Sequence, residues 1–343
     1  MRSSCLPPLR NNPNLNENAP SSILFAQTSF FSGYGGILAN IKLPGNAFRK
    51  TGPQSSKQEE ITVENALYDY MPFNARPKLV FPDGARLAFY VGLNIEHFRV
   101  DIPEMNSPYV PDPMSYGVRD YGTRVGIWRL MDLFDEVGIR ATGIINSDVC
   151  IRYPQIIEAG VERDWAWIAH GQTNSIRQSG MDLAEETAFL ADMMSTLDTS
   201  LPSRPSGWLG PGLSETFETP RLLKEYGFTY LLDWCCDDQP FALNVPGMIS
   251  VPYSIEVNDI SLLKRGTHLG ADYERIVMDQ FEGLLDDSAR TGMVMALPIH
   301  TFIVGQPNRF KYLARVLRKI CATGGVWVCT SDDIANHYLA GTA

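Results

Sequence analysis

The sequence predicts an α/β fold, a closed or nearly closed parallel β/α barrel of about seven strands, and three observations point there. Short apolar runs of strand type alternate with helix-periodic segments from Ile61 onward, and no linker interrupts them. No Gly-x-Gly-x-x-Gly loop follows the first strand, as an open nucleotide-binding sheet would require. A Walker-type phosphate loop is absent as well. With 343 residues, 44% of them hydrophobic, the chain is long enough to bury such a core.

In chain order the strand candidates are Leu87–Ile95, Ala141–Ser147, Trp165–Ala169, Phe228–Asp233, Met248–Tyr253, Met293–Ile299 and Val326–Thr330. Helical spacing of Val125, Trp128, Met131 and Phe134 predicts a helix over Arg119–Val137, and Gly138 stands where a C-cap would. A second helix is expected over Ala271–Asp287, with Ile276, Val277, Phe281, Leu284 and Leu285 facing the core. A third, Pro220–Tyr226, is closed by Gly227.

Charge and composition narrow the partners. Lys and Arg number 29 against 39 Asp and Glu, a net charge of −10, which offers no basic footprint for nucleic acid or an anionic membrane surface. The six cysteines include no C-x-x-C pair and are too sparse for a disulfide scaffold, so a reduced compartment is expected, with adjacent Cys235 and Cys236 read as small core residues. The stretch Asn18 to Ile41 lacks the apolar density of a membrane span. The opening residues do not resemble a secretory signal, so a cytoplasmic location is expected.

Residues 1–60 hold six basic residues and only three acidic ones, and the composition shifts near Glu60. A disordered or loosely attached extension is expected there; scarce arginine argues against an organelle transit segment. Residues 61–343 are expected to form one catalytic barrel domain.

In β/α barrels chemistry collects at the C-terminal ends of strands. Here those ends carry Asn94, Glu96 and His97; His170 and Asn174; Asp233, Asp237 and Asp238; and His300. The chain has five histidines, and three of them stand at predicted strand ends, which points to a site. His268 and His337 lack that context and are read as loop or surface residues. Alternation along the first strand puts Asn94 and Glu96 on one face, with His97 pointing away unless the strand has ended.

The segments VRDYGTRVGIWRLMDLFDEVGIRAT, YPQIIEAG, AHGQTNS, TPRLLKEYGFTY and DDQP, in this order, resemble the polysaccharide deacetylase family, and within it the branch of cofactor-independent allantoinases. The resemblance spans roughly Ile61 to Tyr338 and implies a distorted β/α barrel. In the family's first motif one aspartate acts as base and the next binds metal; Glu96 and His97 occupy those places. The remaining ligands, two histidines four residues apart, correspond to His170 and Asn174. An amide oxygen is a poor zinc ligand, so the resemblance implies either no cofactor or a weakly held divalent metal, zinc first, on His97, His170 and Asn174. Leu209 stands where the family has an arginine, and Leu297 to His300 match its final leucine-x-leucine-histidine motif.

Hydrolysis of an amide needs a group that activates water and one that protonates the departing nitrogen. Glu96 suits the first role and His300 the second, with His170 beside them. Asn94 and the strand-end loops are the substrate-binding candidates: Trp208, Gly210 and Pro211 in GWLGPGLSET, then Trp234, Asp237 and Asp238, and Arg309, which would orient a substrate carboxylate or cap a helix. Asp237 and Asp238 would keep His300 protonated or cap a turn. The leading expectation is a hydrolase of a carbon–nitrogen bond in a small linear or cyclic amide, allantoinase-like, acting alone or as a homo-oligomer. The alternatives are a metal-dependent polysaccharide N-deacetylase of carbohydrate metabolism and a catalytically silent binding barrel.

Overall fold

The computed structural model describes residues 65–103, 109–265 and 268–342. The extension expected over residues 1–60 lies outside them. The sheet is organised around β1 (Leu87–Ile95), whose nine residues are all buried. A strand buried on both faces reads as a continuous apolar run, and LAFYVGLNI is such a run. One edge of β1 pairs in parallel with β8 (Met293–His300), from Leu87 opposite Met293 to Asn94 opposite His300. The other edge is shared: β9 (Val326–Val328) takes Leu87 to Phe89, and β2 (Thr142–Ile145) takes Gly92 to Ile95.

Beyond β2 the sheet continues through β3 (Ala166–Ala169), β4 (Gly207–Trp208), β5 (Tyr230–Leu231) and β7 (Ile249–Ser250), all parallel, and ends in β6 (Phe241–Ala242), antiparallel to β7. The sheet curls into a partly open barrel whose free edges are β6 and β8. Across that seam the Val294 N–H donates to the Asp238 carbonyl at 2.9 Å. Nine strands thus stand among the described residues where about seven were expected. The additional ones, β4 and β6, are two residues long and leave no period-2 pattern to read.

Strand alternation divides the core in two. Leu87, Phe89, Val91, Leu93 and Ile95 face an outer layer shared with the helices, whereas Ala88 and Tyr90 face the interior with Ile168, Leu209, Tyr230 and Val251. Truncating an outer-layer residue such as Leu93 to Ala would cost about 2–5 kcal/mol.

The outer helices largely follow the periodicity, with one instructive departure. α1 (Pro113–Tyr121) runs through a π-helical turn, Gly122–Gly126, into α2 (Ile127–Val137), so the helix starts earlier than expected and its phase slips. Val125 and Trp128, expected in the core, are 39% and 38% exposed, while Met131 and Phe134 are buried. The slip turns Gly122 and Gly126 onto the segment after His300: a Cβ at Gly126 would lie 2.1 Å from the Thr301 carbonyl oxygen. Gly138 caps α2 in the left-handed conformation, φ 72°.

The cysteines described are free; Cys150 and Cys329 are buried, Cys235 packs partly on the inner core and Cys236 is exposed, so only half of the adjacent pair behaves as a core residue. Among the described residues no helix is long and apolar enough to cross a membrane.

Candidate active site

Glu96 is the first residue beyond β1 and continues the face that carries Asn94, as strand parity requires. His300 is the last residue of β8, and His170 follows β3 directly. The ends of three strands therefore deliver one carboxylate and two imidazoles to the same rim. Glu96 Oε1 lies 3.7 Å from His170 Nε2 and 3.6 Å from His300 Nε2, and all three side chains are buried. Glu96 Oε2 and His170 Nε2 have no hydrogen-bond partner.

Each imidazole is held from behind. His170 Nδ1 is 2.6 Å from the Leu209 carbonyl oxygen, a partner that accepts only, so Nδ1 carries hydrogen and Nε2 faces Glu96. His300 Nδ1 is 2.6 Å from Asp259 Oδ1, and the His300 backbone N–H donates to Asp259 Oδ2 at 2.8 Å. Asp259 is fully buried and grips both ends of the residue.

These contacts set the charges. Burial alone would raise the Glu96 pKa, but the charges of His300, His170 and Arg119 outweigh it and hold the carboxyl below the usual range. Burial alone would lower the His300 pKa; the Asp259 and Glu96 carboxylates outweigh it and hold the imidazole above its ordinary value. Arg119, on α1, lies over the Phe98 ring with its guanidinium carbon 3.8 Å from the centroid. The rim thus favours an ionised Glu96 facing a protonated His300.

Asp259 was not among the residues expected at the site. The expected partners of His300 are occupied elsewhere: Asp237 pairs with Arg76 at 2.6 Å and accepts the Gln239 N–H at 2.9 Å, which is a turn cap, and Asp238 lends its carbonyl to the seam. Asp259 sits 41 residues before His300, in an irregular segment just ahead of a π-helical stretch, Ile260–Arg265, where no periodicity marks it.

The other candidates separate. Asn94 is buried and donates from Nδ2 to the Tyr253 hydroxyl at 2.9 Å and the Ile299 carbonyl at 3.2 Å, bracing the inner wall below Glu96. His97 turns away: its Nε2 is 3.8 Å from Asp148 Oδ2 and its ring packs near Tyr153. Asn174 donates its backbone N–H to the His97 carbonyl at 2.8 Å, and its side-chain oxygen is buried without a partner. Trp208 is a correction: it is fully buried in the outer layer, edge-on to Phe228, because alternation turns its neighbour Leu209 inward. Gly210 approaches Asp233 closely, its N–H donating to Asp233 Oδ1 at 2.8 Å, and a Cβ there would strike the Ser214 carbonyl oxygen at 2.2 Å. Pro211 packs against Gly171, and Trp234 lines a cavity beside Asp233. Arg309 lies in the first turn of α8 (Pro307–Cys321), with its backbone N–H on the Gln306 carbonyl. His337 is tied to the Val80 carbonyl at 2.6 Å and packs on Phe81 and Trp327, so it anchors a helix; His268 is exposed.

A curled, mostly parallel sheet thus brings a carboxylate between two strand-end histidines, a set of groups suited to acid–base chemistry. No family model matches the chain. A Schizosaccharomyces pombe protein provisionally named a polysaccharide deacetylase is 23% identical over 245 residues, covering 64% of this chain and 75% of that one. The crystal structure of PuuE allantoinase superposes with a TM-score of 0.71 at 26% identity, over 77% of this chain and 94% of that one. A Pseudomonas aeruginosa PAO1 protein provisionally named a polysaccharide deacetylase gives 0.70 at 25%, over 77% and 95%. The chain is thus similar both to proteins named as polysaccharide deacetylases and to an allantoinase.

Proposed function

We propose that this enzyme hydrolyses a carbon–nitrogen bond of a small linear or cyclic amide, with Glu96 as general base and His300 as general acid. The observation that carries the reading is the line Asp259–His300–Glu96–His170: 2.6 Å, 3.6 Å and 3.7 Å between successive polar atoms, all buried. In this reading the Glu96 carboxylate takes a proton from water as the water adds to the amide carbon. The His300 Nε2–H then gives its proton to the departing nitrogen while Asp259 holds the ring in place. His170 presents Nε2 beside the same carboxylate and orients the water.

A carboxyl held below the ordinary range is a weak base towards water, and that favours strained or activated amides over plain acetamido groups. The PuuE allantoinase likeness supports the same preference. The donor chemistry for a metal does not fit well: His97 is turned to Asp148, Asn174 offers an amide oxygen, and no group of three or more His, Cys, Asp or Glu side chains among the described residues is arranged to hold an ion.

The test is an assay on allantoin, simple cyclic imides and acetylated chito-oligomers, run beside metal analysis of protein purified without chelator. Turnover of an allantoin or imide substrate that survives chelation is expected. Turnover of the oligomers alone, with stoichiometric zinc, would replace this reading by a metal-dependent N-deacetylase.

A further inference from the structure

Beside β5 lies a cavity of about 300 Å³ that the catalytic reading does not use. Leu67, Leu213, Phe217 and Trp234 form apolar walls, and Asp233 and Glu215 supply carboxyl groups. Asp233 stands just past β5, next in the sheet to β4, whose following residue Leu209 holds His170, so the cavity shares the rim with the candidate active site at a different sector.

The two acids face each other and the Trp234 indole without a well-formed hydrogen bond among them. Asp233 is 9% exposed, and only its Oδ1 is bonded, to the Gly210 N–H; its Oδ2, both Glu215 oxygens and the Trp234 indole nitrogen are buried without hydrogen-bond partners. A third acid nearby shows what a structural carboxylate looks like here. Glu186, on α5 (Leu183–Ser200), accepts from Gln178 Nε2 at 2.9 Å, from Thr216 Oγ1 at 2.5 Å and from Thr219 Oγ1. Buried polar groups without partners are costly, and where they line an apolar cavity they mark a ligand site.

We infer that this cavity binds a planar nitrogen cation, an amidinium or guanidinium, which the Asp233 and Glu215 carboxyls grip in a fork while Trp234 and Phe217 cover its faces. The residues lining it include no cationic side chain that would compete; the Arg177 guanidinium lies against Gly212 but is not among them. The groups facing Glu215 are Asp233 just past β5, Glu186 from α5 and the Trp234 indole, and Cys235 lies near Asp233. Burial, with the Glu186 charge adding to it and Asp233 and Trp234 opposing it, pushes the Glu215 carboxyl up to about 7, and burial together with Glu215 raises Asp233 well above its ordinary value, so a cation that binds there competes with a proton.

Benzamidine is a suitable probe, with neutral benzamide as its isostere, each titrated calorimetrically into the whole protein at pH about 8 and about 5.5, either side of the Glu215 carboxyl at about 7. Benzamidine should bind saturably at the higher pH with proton release, weaken roughly tenfold at the lower one, and outcompete benzamide by a similar factor. Glu215→Gln should weaken it roughly tenfold. Phe217→Ala, at a position 80% exposed, tests the same wall without risk to folding and should weaken binding several-fold. Equal affinity for benzamidine and benzamide, affinity independent of pH, no saturable binding at the higher pH, or an unchanged Kd in Phe217→Ala would each overturn the inference.

Discussion

Two groups of buried carboxyls sit on one rim of this barrel and behave in opposite ways. Glu96 is buried among His300, His170 and Arg119 and is held below its ordinary pKa. Glu215 and Asp233 are buried among one another and Glu186, and are pushed above theirs. Desolvation acts in the same direction on all three; at Glu96 the cationic neighbours reverse it, whereas at Glu215 and Asp233 it prevails. A fold can therefore keep an ionised base and a pair of carboxyls that hold their protons far more readily within one interior, by choosing which strand ends carry imidazoles and which carry carboxyls.

The most severe way to break the contrast is to remove the charge at Glu96. Glu96→Gln keeps the shape and should lower kcat on whichever amide proves to be the substrate by about 10²–10⁴, with substrate affinity largely retained. His300→Asn should cost a similar factor, and the double variant much less than the product of the two, since both groups serve one transition state. Near wild-type turnover in Glu96→Gln would remove it from the mechanism.

A smaller effect should follow from loosening His300. With Glu96 lowered and His300 raised, the rate profile should have an acid limb below 4.5 and an alkaline limb above 6.5. Asp259→Asn withdraws the main charge that sustains the alkaline limb, so that limb should move down towards 6.5 while the acid limb stays near its place. A purely structural role for Asp259 would lower the whole profile and leave both limbs where they were.

Stability offers a sharper view of the other acids. With a folded-state pKa of about 7 against an ordinary 4.5, Glu215 keeps its proton in the folded chain over a window where the unfolded chain has lost it. The folded state binds more protons there, so stability falls as pH rises from 4.5 to about 7. Glu215→Gln should reduce that fall, with Asp233 sustaining the remainder, so the variant should melt close to wild type at pH about 4 and several degrees higher at pH about 8. Parallel melting curves at both pH values would mean that the carboxyl is not protonated in the fold.

The least change is expected from deleting residues 1–50. Every residue placed at either group of acids lies between Leu67 and His300, so Tm and turnover should both hold. A large fall in Tm would assign the extension a place on the barrel.

Much of the site was legible because β1, β3 and β8 are long or bounded enough for the sequence to show where they end. Leu87–Ile95 has the boundaries its apolar run implies, and strand parity already sent His97 away from Glu96. What escaped had physical reasons. Asp259 reaches His300 through an irregular segment that pattern cannot place. Trp208 looked like a loop residue because β4 is only two residues long; once that strand is seen, the inward Leu209 fixes Trp208 outward. The π-helical turn at Gly122–Gly126 defeated the 3.6 spacing that put Val125 and Trp128 inside. Glu215 carries no motif of its own, and only its company makes it unusual.

The few bonds across the seam, from the Val294 amide to the Asp238 carbonyl and from the Gln239 side chain to Thr291 and the Gly292 carbonyl, have a mechanical consequence. A sheet that stops one ladder short of a ring is most compliant along the gap, and β8, which carries His300, forms one lip of it. Amide exchange should accordingly be quicker at Val294 than at the doubly flanked amides of β1, and slow opening of that lip is where the interior would first admit solvent without disturbing the strands that hold Glu96 and His170.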